Sequence, residues 1–245
     1  MAMTEPTAAG APGVPAARDD APLEVDFYFD VMCPWAYQTS KWIREAAPRR
    51  NLAVRWRFFS LEEVNRQEGK KHPWEREWSY GWSMLRVAAL LRRRPDPLGH
   101  AAVDRFYQIT GRLLHEEGVK VHTRDGVAAA LEEMGEEPAV VDRAVADPTT
   151  HEDVRRDHQR VIDLGGYGVP TLVIGSTPLF GPVVTPAPVG EEAAQLWDLV
   201  AGWTRFPHLY ELRRPKTAAD WEHIQSSFTP YLHARDWQTV QNPVA

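Results

Sequence analysis

Only one cysteine, Cys33, occurs in the 245 residues. A lone thiol cannot form an intrachain disulfide, so the chain has neither a disulfide framework nor a pair of sulfurs for internal dithiol exchange. No apolar run approaches the ~20 residues that span a bilayer, which argues against a transmembrane helix. Lys and Arg number 28 against 34 Asp and Glu, a net charge of -6, and no basic stripe interleaves with aromatics. Nucleic acid is therefore not expected as a partner, and neither is a membrane. There is no GxGxxG run and no P-loop, so no tightly bound nucleotide is expected. The nine histidines show no HExxH pattern, and His151 and His158 stand too far apart for one metal without other ligands, so no metal is expected. The opening residues are rich in Ala, Pro, Thr and Gly and contain Asp19-Asp20, but lack the basic and continuous apolar regions of a secretory signal. They read as a disordered tail over 1–22, and the protein is expected in a reducing cytoplasm.

Against these absences stand clear patterns. Val25-Asp26-Phe27-Tyr28-Phe29-Asp30 alternates like a strand, and after Cys33 the spacing turns helical, aligning Trp35, Thr39, Trp42, Ile43 and Ala46, with Pro34 suited to the first turn. Val54 to Phe59 alternates apolar and basic residues as a second strand. From Pro73 to Leu164 the period is helical, broken at Pro95-Asp96-Pro97, Gly118, Gly135 and Asp147-Pro148. Thr171 to Ile174 and Leu179-Phe180, joined through Gly175-Ser176-Thr177, read as a hairpin. Ala193, Leu196, Trp197, Val200 and Ala201 then form the buried stripe of a helix. The expected organisation is α/β: segments 23–64 and 165–206 form one domain, 65–164 is a helical insertion, and 207–245 is an aromatic extension without a long period, packed on the surface. Trp74, Trp78 and Trp82 recur every four residues, continued by Arg86. They are expected on one helix, either as core or as the wall of a flat ligand's site. The run Arg92-Arg93-Arg94 reads as a solvated helix end.

Strand, helix, strand, helical insertion, hairpin, helix is the order of the DsbA branch of the thioredoxin fold. The sequence resembles the DsbA-like oxidoreductases of actinobacteria, in particular the mycothiol-dependent nitroreductase group. The residues that carry the resemblance are Phe29-Asp30 leading into Cys33-Pro34-Trp35, Ser60-Leu61 with Asn65, Leu114-His115, Val169-Pro170-Thr171, Phe180-Gly181-Pro182, and Gly190-Glu191-Glu192 with Leu196-Trp197-Asp198. Together they span about residues 24 to 213. One departure is plain: where relatives that cycle through an internal disulfide carry a second cysteine, this chain has Ala36.

Cys33 is the expected catalytic residue, at a helix N-terminus whose unpaired N–H groups and dipole lower a thiol pKa. Without a second sulfur at Ala36 the lowering is expected to be smaller than in a CxxC enzyme. The alternative is a packed structural cysteine. The resemblance implies that Val169-Pro170 is a cis bond beside the cysteine, with Val169 and Thr171 lining the thiol site together with Pro34 and Trp35; otherwise Pro170 simply starts a strand. It also implies that Asn65 and His115 lie near the sulfur, His115 donating a hydrogen bond or proton to a substrate oxygen. Read alone, Asn65 suits a helix N-cap and His115 an exposed helix end.

The function expected from this resemblance is a cytosolic monothiol oxidoreductase. Cys33 would form a mixed disulfide with a low-molecular-weight thiol such as mycothiol, the co-substrate, and reduce nitro or other electrophilic small molecules without a bound cofactor. A homodimer is left open. Two alternatives stand beside it: an enzyme similar to the kappa-type glutathione transferases and chromene-carboxylate isomerases, with no disulfide in its cycle, and a redox-inert binding protein on the same fold.

Overall fold

The computed structural model describes residues 21–235; the expected tail therefore lies almost wholly outside the described residues. Four strands form one sheet in the order β2-β1-β3-β4. β1 (Leu23–Phe29) is central, parallel to β2 (Leu52–Phe58) with Phe27 opposite Trp56, and antiparallel to β3 (Thr171–Ile174) with Phe27 opposite Leu172. β4 (Thr177–Phe180) closes the edge as the expected hairpin. Every residue of β1 from Val25 to Phe29 is buried, because helices cover both faces of the sheet.

The parallel β1–β2 pair requires a crossover, supplied by α1 (Pro34–Ala46). Trp42 of α1 is fully buried, and its indole N–H donates to Ala193 O, 2.9 Å away, in α8 (Gly190–Trp203), whose Trp197 stacks beside it. Between β2 and β3 the chain forms α2 (Leu61–Val64), α3 (Tyr80–Arg92), α4 (Leu98–His115), α5 (Arg124–Met134), α6 (Val140–Ala146) and α7 (Thr149–Asp163). The insertion is tied to the sheet by aromatic contact, Tyr107 of α4 stacking on Phe29 at 4.1 Å between centroids. The chain has a thioredoxin-like fold with a large helical insertion.

One local expectation changes in the structure. Trp74, Trp78 and Trp82 do not share a helix: Ser79 is extended at φ -131°, ψ 124°, and α3 starts only after it. Trp82 still packs against Trp74, while Trp78 donates to His122 O. The arginine run ends α3 with Arg93 and Arg94 exposed, as expected of a solvated helix end, and each arginine is also ion-paired. Arg92 pairs with the buried Asp157, Arg93 with Asp147 and Asp153, and Arg94 with Glu136, so the end of α3 is tied to the elements around it. Arg86 is buried, and among the described residues no carboxylate is bonded to it. Its guanidinium donates to Thr150 Oγ1 and to the carbonyls of Ala144, Val145 and Asp147, capping the C-terminus of α6.

The largest departure is at the C-terminal end. After α8 every residue from Arg205 to Glu222 is exposed, and then Ala218–Ala234 forms a 17-residue helix, α9, where an irregular extension was expected. Its start is written in Thr217 and Asp220, a reciprocal capping box. Pro230 inside the helix breaks the ordinary helical signature, which is why the segment reads as irregular. Phe228, Tyr231 and Ala234 form its buried face.

Candidate functional site

β1 ends at Phe29 and the chain turns through Asp30 to Cys33, whose backbone N–H donates to Asp30 O at 3.0 Å. Cys33 is the N-cap of α1, extended at φ -89°, ψ 110°, with Pro34 in the first turn. Its sulfur accepts the Ala36 N–H at 3.4 Å, as an N-cap side chain should. The Asp30 carboxylate holds this turn in place. Oδ1 accepts from Met32 N at 2.9 Å and Oδ2 from Leu61 N at 2.7 Å, joining the cysteine loop to the start of α2.

The hairpin brings the second half of the site. Because Tyr28 pairs with Thr171, the residues just before β3 arrive beyond the C-terminal end of β1, where the cysteine sits. The Val169–Pro170 bond is cis, and the Cys33 S–H points at Val169 O at 3.5 Å. Pro170 has no N–H, but its carbonyl accepts from Gly181 N at 2.8 Å, and Thr171 Oγ1 donates to Gly168 O at 2.7 Å. The backbone next to the sulfur is thereby held from both sides.

His115, the last residue of α4, is 2% exposed rather than an exposed helix end. Its Nε2 lies 2.8 Å from Val31 O, two residues before the cysteine, and its ring stacks on Tyr37 at 5.0 Å. A ring that donates through Nε2 leaves Nδ1 as an acceptor, and Nδ1 is buried without a hydrogen-bond partner among the described residues. Burial pushes the His115 pKa down to about 4, so the ring is neutral at neutral pH and any hydrogen bond it donates comes from a neutral imidazole. Asn65 is not brought in by any bond. It is exposed and forms the C-cap of α2, not an N-cap, with its amide donating to Leu61 O; the N-cap is Ser60.

The sulfur itself departs most from expectation. Cys33 is only 5% exposed, and burial pushes its thiol up to about 12; the Ala36 N–H favours the thiolate, but the nearby Asp30 carboxyl opposes it. The expected lowering fails because desolvation outweighs the helix N-terminus. α9 packs beside the cysteine loop, against residues that flank the thiol. Phe228 meets Trp35 edge to face at 4.8 Å, and Tyr231 lies 5.0 Å from the His115 ring. Asp30 is likewise desolvated and raised to about 6, and desolvation raises the half-buried Glu62 carboxyl to about 7, against the Arg76 guanidinium paired with it and with the nearby Asp30 charge adding to the rise. Asp30, Glu62, Phe228 and Tyr231 were not singled out as site residues from the sequence. Asp30 stood in the motif that precedes the cysteine, and the Thr217 capping box marked α9, but nothing local marks Glu62.

Residues 32–214 match the family model described as Rv2466c-like, mycothiol-dependent nitroreductase Rv2466c. The chain belongs to this family. Over 216 residues it is 51% identical to the uncharacterized protein Rv2286c of Mycobacterium tuberculosis, covering 88% of this chain and 92% of that protein. Among solved structures it is similar to a probable DsbA oxidoreductase from Streptomyces coelicolor, with a TM-score of 0.54 and 18% identity over 80% of this chain and 93% of that one. A 2-hydroxychromene-2-carboxylate isomerase matches with a TM-score of 0.53 and 16% identity, over 75% of this chain and 95% of that one. These two likenesses concern the fold. Family membership makes the protein a thiol-dependent oxidoreductase, and its only thiol is that of Cys33. Among the described residues no cluster of metal-ligating side chains occurs, and no helix is long and apolar enough to cross a membrane.

Proposed function

We propose that Cys33 reduces a nitro-type or other electrophilic small molecule at the expense of a low-molecular-weight thiol of the mycothiol class, through a mixed disulfide. The observation that carries this reading is the single sulfur at the N-terminus of α1, beside the cis Val169–Pro170 bond, with Ala36 in the place of a resolving cysteine. In the first step the Cys33 thiol and one thiol molecule each give up a proton and together pass two electrons to the acceptor, which becomes its dihydro form while a Cys33–thiol disulfide is made. A second thiol molecule then attacks that disulfide at its own kind of sulfur, releasing Cys33 and the symmetrical disulfide. The net change is one acceptor and two thiols to one reduced acceptor and one disulfide, so no bound redox cofactor is needed. A cytoplasmic setting suits this cycle, since it keeps the thiol pool reduced.

The Ala36 position equally suits a second reading, a transferase or isomerase of the kappa and chromene-carboxylate type, in which the thiol is activated for addition and no disulfide appears. Intact-mass analysis separates the two. After incubation with mycothiol disulfide the oxidoreductase reading expects one thiol adduct on Cys33, removed by excess mycothiol and absent in Cys33→Ser. Thiol-dependent turnover that survives Cys33→Ser, or a failure of Cys33 to take up the adduct, refutes it.

A further inference from the structure

Residues 218–234 lie beyond the stretch that matches the family, which ends at 214, yet they pack against Trp35 and His115 beside Cys33. Phe228 packs on Trp35, next but one to Cys33, and Tyr231 closes over His115. The approach is close: Gly118, just past the end of α4, has φ +68°, and a Cβ there would stand 3.1 Å from Pro230 O. At the other end of the helix His223 Nε2 lies 3.1 Å from Thr185 Oγ1, in the loop that follows the hairpin. The helix thus bridges the insertion and the sheet domain across the cysteine.

Its own anchorage is slight. Only three of its side chains are buried, the 205–222 approach is exposed throughout, and Pro230 removes an internal hydrogen bond. An element with one small apolar face on a long exposed tether is of the kind that opens locally while the rest of the fold stays closed.

We infer that α9 determines which molecules reach Cys33: it is a displaceable cover whose Phe228 and Tyr231 shield the sulfur, admitting small thiols through limited openings and excluding disulfides held in folded proteins. This goes beyond the proposed reaction and needs only that Cys33 be the reacting group. With the cover in place the thiol is dry and protonated. Displacement wets it and restores the helix N-terminus as the dominant influence.

The test is the rate at which Cys33 of the full-length chain is alkylated by iodoacetamide and by a maleimide carrying a long polyethylene glycol chain. The wild type is expected to react slowly with both and to discriminate strongly against the bulky reagent. Phe228→Ala and Tyr231→Ala should each raise the bulky rate, on the order of 100-fold, and collapse the discrimination. Hydrogen exchange on the wild type guards against variants that fail to fold: amides of α9 should exchange well before those of β1 and α4. Wild-type Cys33 reacting with both reagents like an exposed thiol, α9 amides as protected as those of β1, or folded variants with unchanged rates would each overturn the inference.

Discussion

Raising pH through the range in which free thiols ionise should leave Cys33 protonated. Its pKa moves from an ordinary 9.0 to about 12, which corresponds to about 4 kcal/mol against forming the thiolate in the covered state. The sign follows: a group whose folded pKa lies above its unfolded value stabilises the fold fully below pH 9, and that contribution fades as pH rises from 9 through about 12. Opening of α9 modifies the apparent value in a calculable way. If ~1% of molecules are open with an ordinary thiol, the apparent midpoint falls to about 11, and each further tenfold of open population lowers it by about one pH unit. Because Cys33 is the only cysteine, labelling with cysteine enriched in 13C at Cβ provides a single NMR resonance whose shift reports ionisation without ambiguity. The resonance is expected to stay at its thiol position well past pH 9, and the Phe228→Ala variant to titrate earlier. A wild-type midpoint at or below 9 would refute both the burial argument and the dominance of desolvation over the helix N-terminus.

Two further outcomes follow from the same geometry. His115 has its pKa lowered to about 4, so its contribution to stability is complete above its ordinary 6.5 and is lost as pH falls through about 4, a change of up to ~3 kcal/mol. The raised pKa of Asp30 works in the opposite sense, so the His115 share is read as the difference in acid sensitivity between wild type and His115→Gln in urea unfolding at pH 7 and 4.5; identical slopes would remove His115 from the account. Ala36→Cys places a second sulfur one helical turn from the first, where the Ala36 N–H already points at Cys33 Sγ, and mild oxidation should take two mass units from the protein with no adduct; two persistently free thiols would show that the site does not accept a CxxC geometry.

The fold was largely legible in the chain because its signals are local. Alternation in Val25 to Phe29 and Val54 to Phe59, the helical spacing after Cys33 and the Gly175 turn each depend on neighbours within a few residues, and these elements lie where the patterns put them, whereas the helical block expected from Pro73 is interrupted at the extended Ser79. The site was legible as a set of names in order: Cys33 at the head of α1 and Val169-Pro170 at the entry to β3 come together because the strand register requires it. The bond from the Ala36 N–H to the Cys33 sulfur is equally local, since it follows from the place of the cysteine at the head of a helix.

What the sequence could not supply is how much water each of these groups sees. Cys33, Asp30 and His115 each have their charge state decided by burial, and burial depends on elements remote along the chain, such as α4 that brings His115 to Val31 O, the entry to β3 that brings Val169 to Cys33, and α2 that brings Leu61 to Asp30. Periodicity shows which face of an element is apolar but not which other element will cover it, and desolvation depends on that second fact alone. Hence the chain by itself determined the fold and the single sulfur on which the proposed chemistry rests, whereas only the tertiary packing that buries Cys33 decided that its thiol is held neutral.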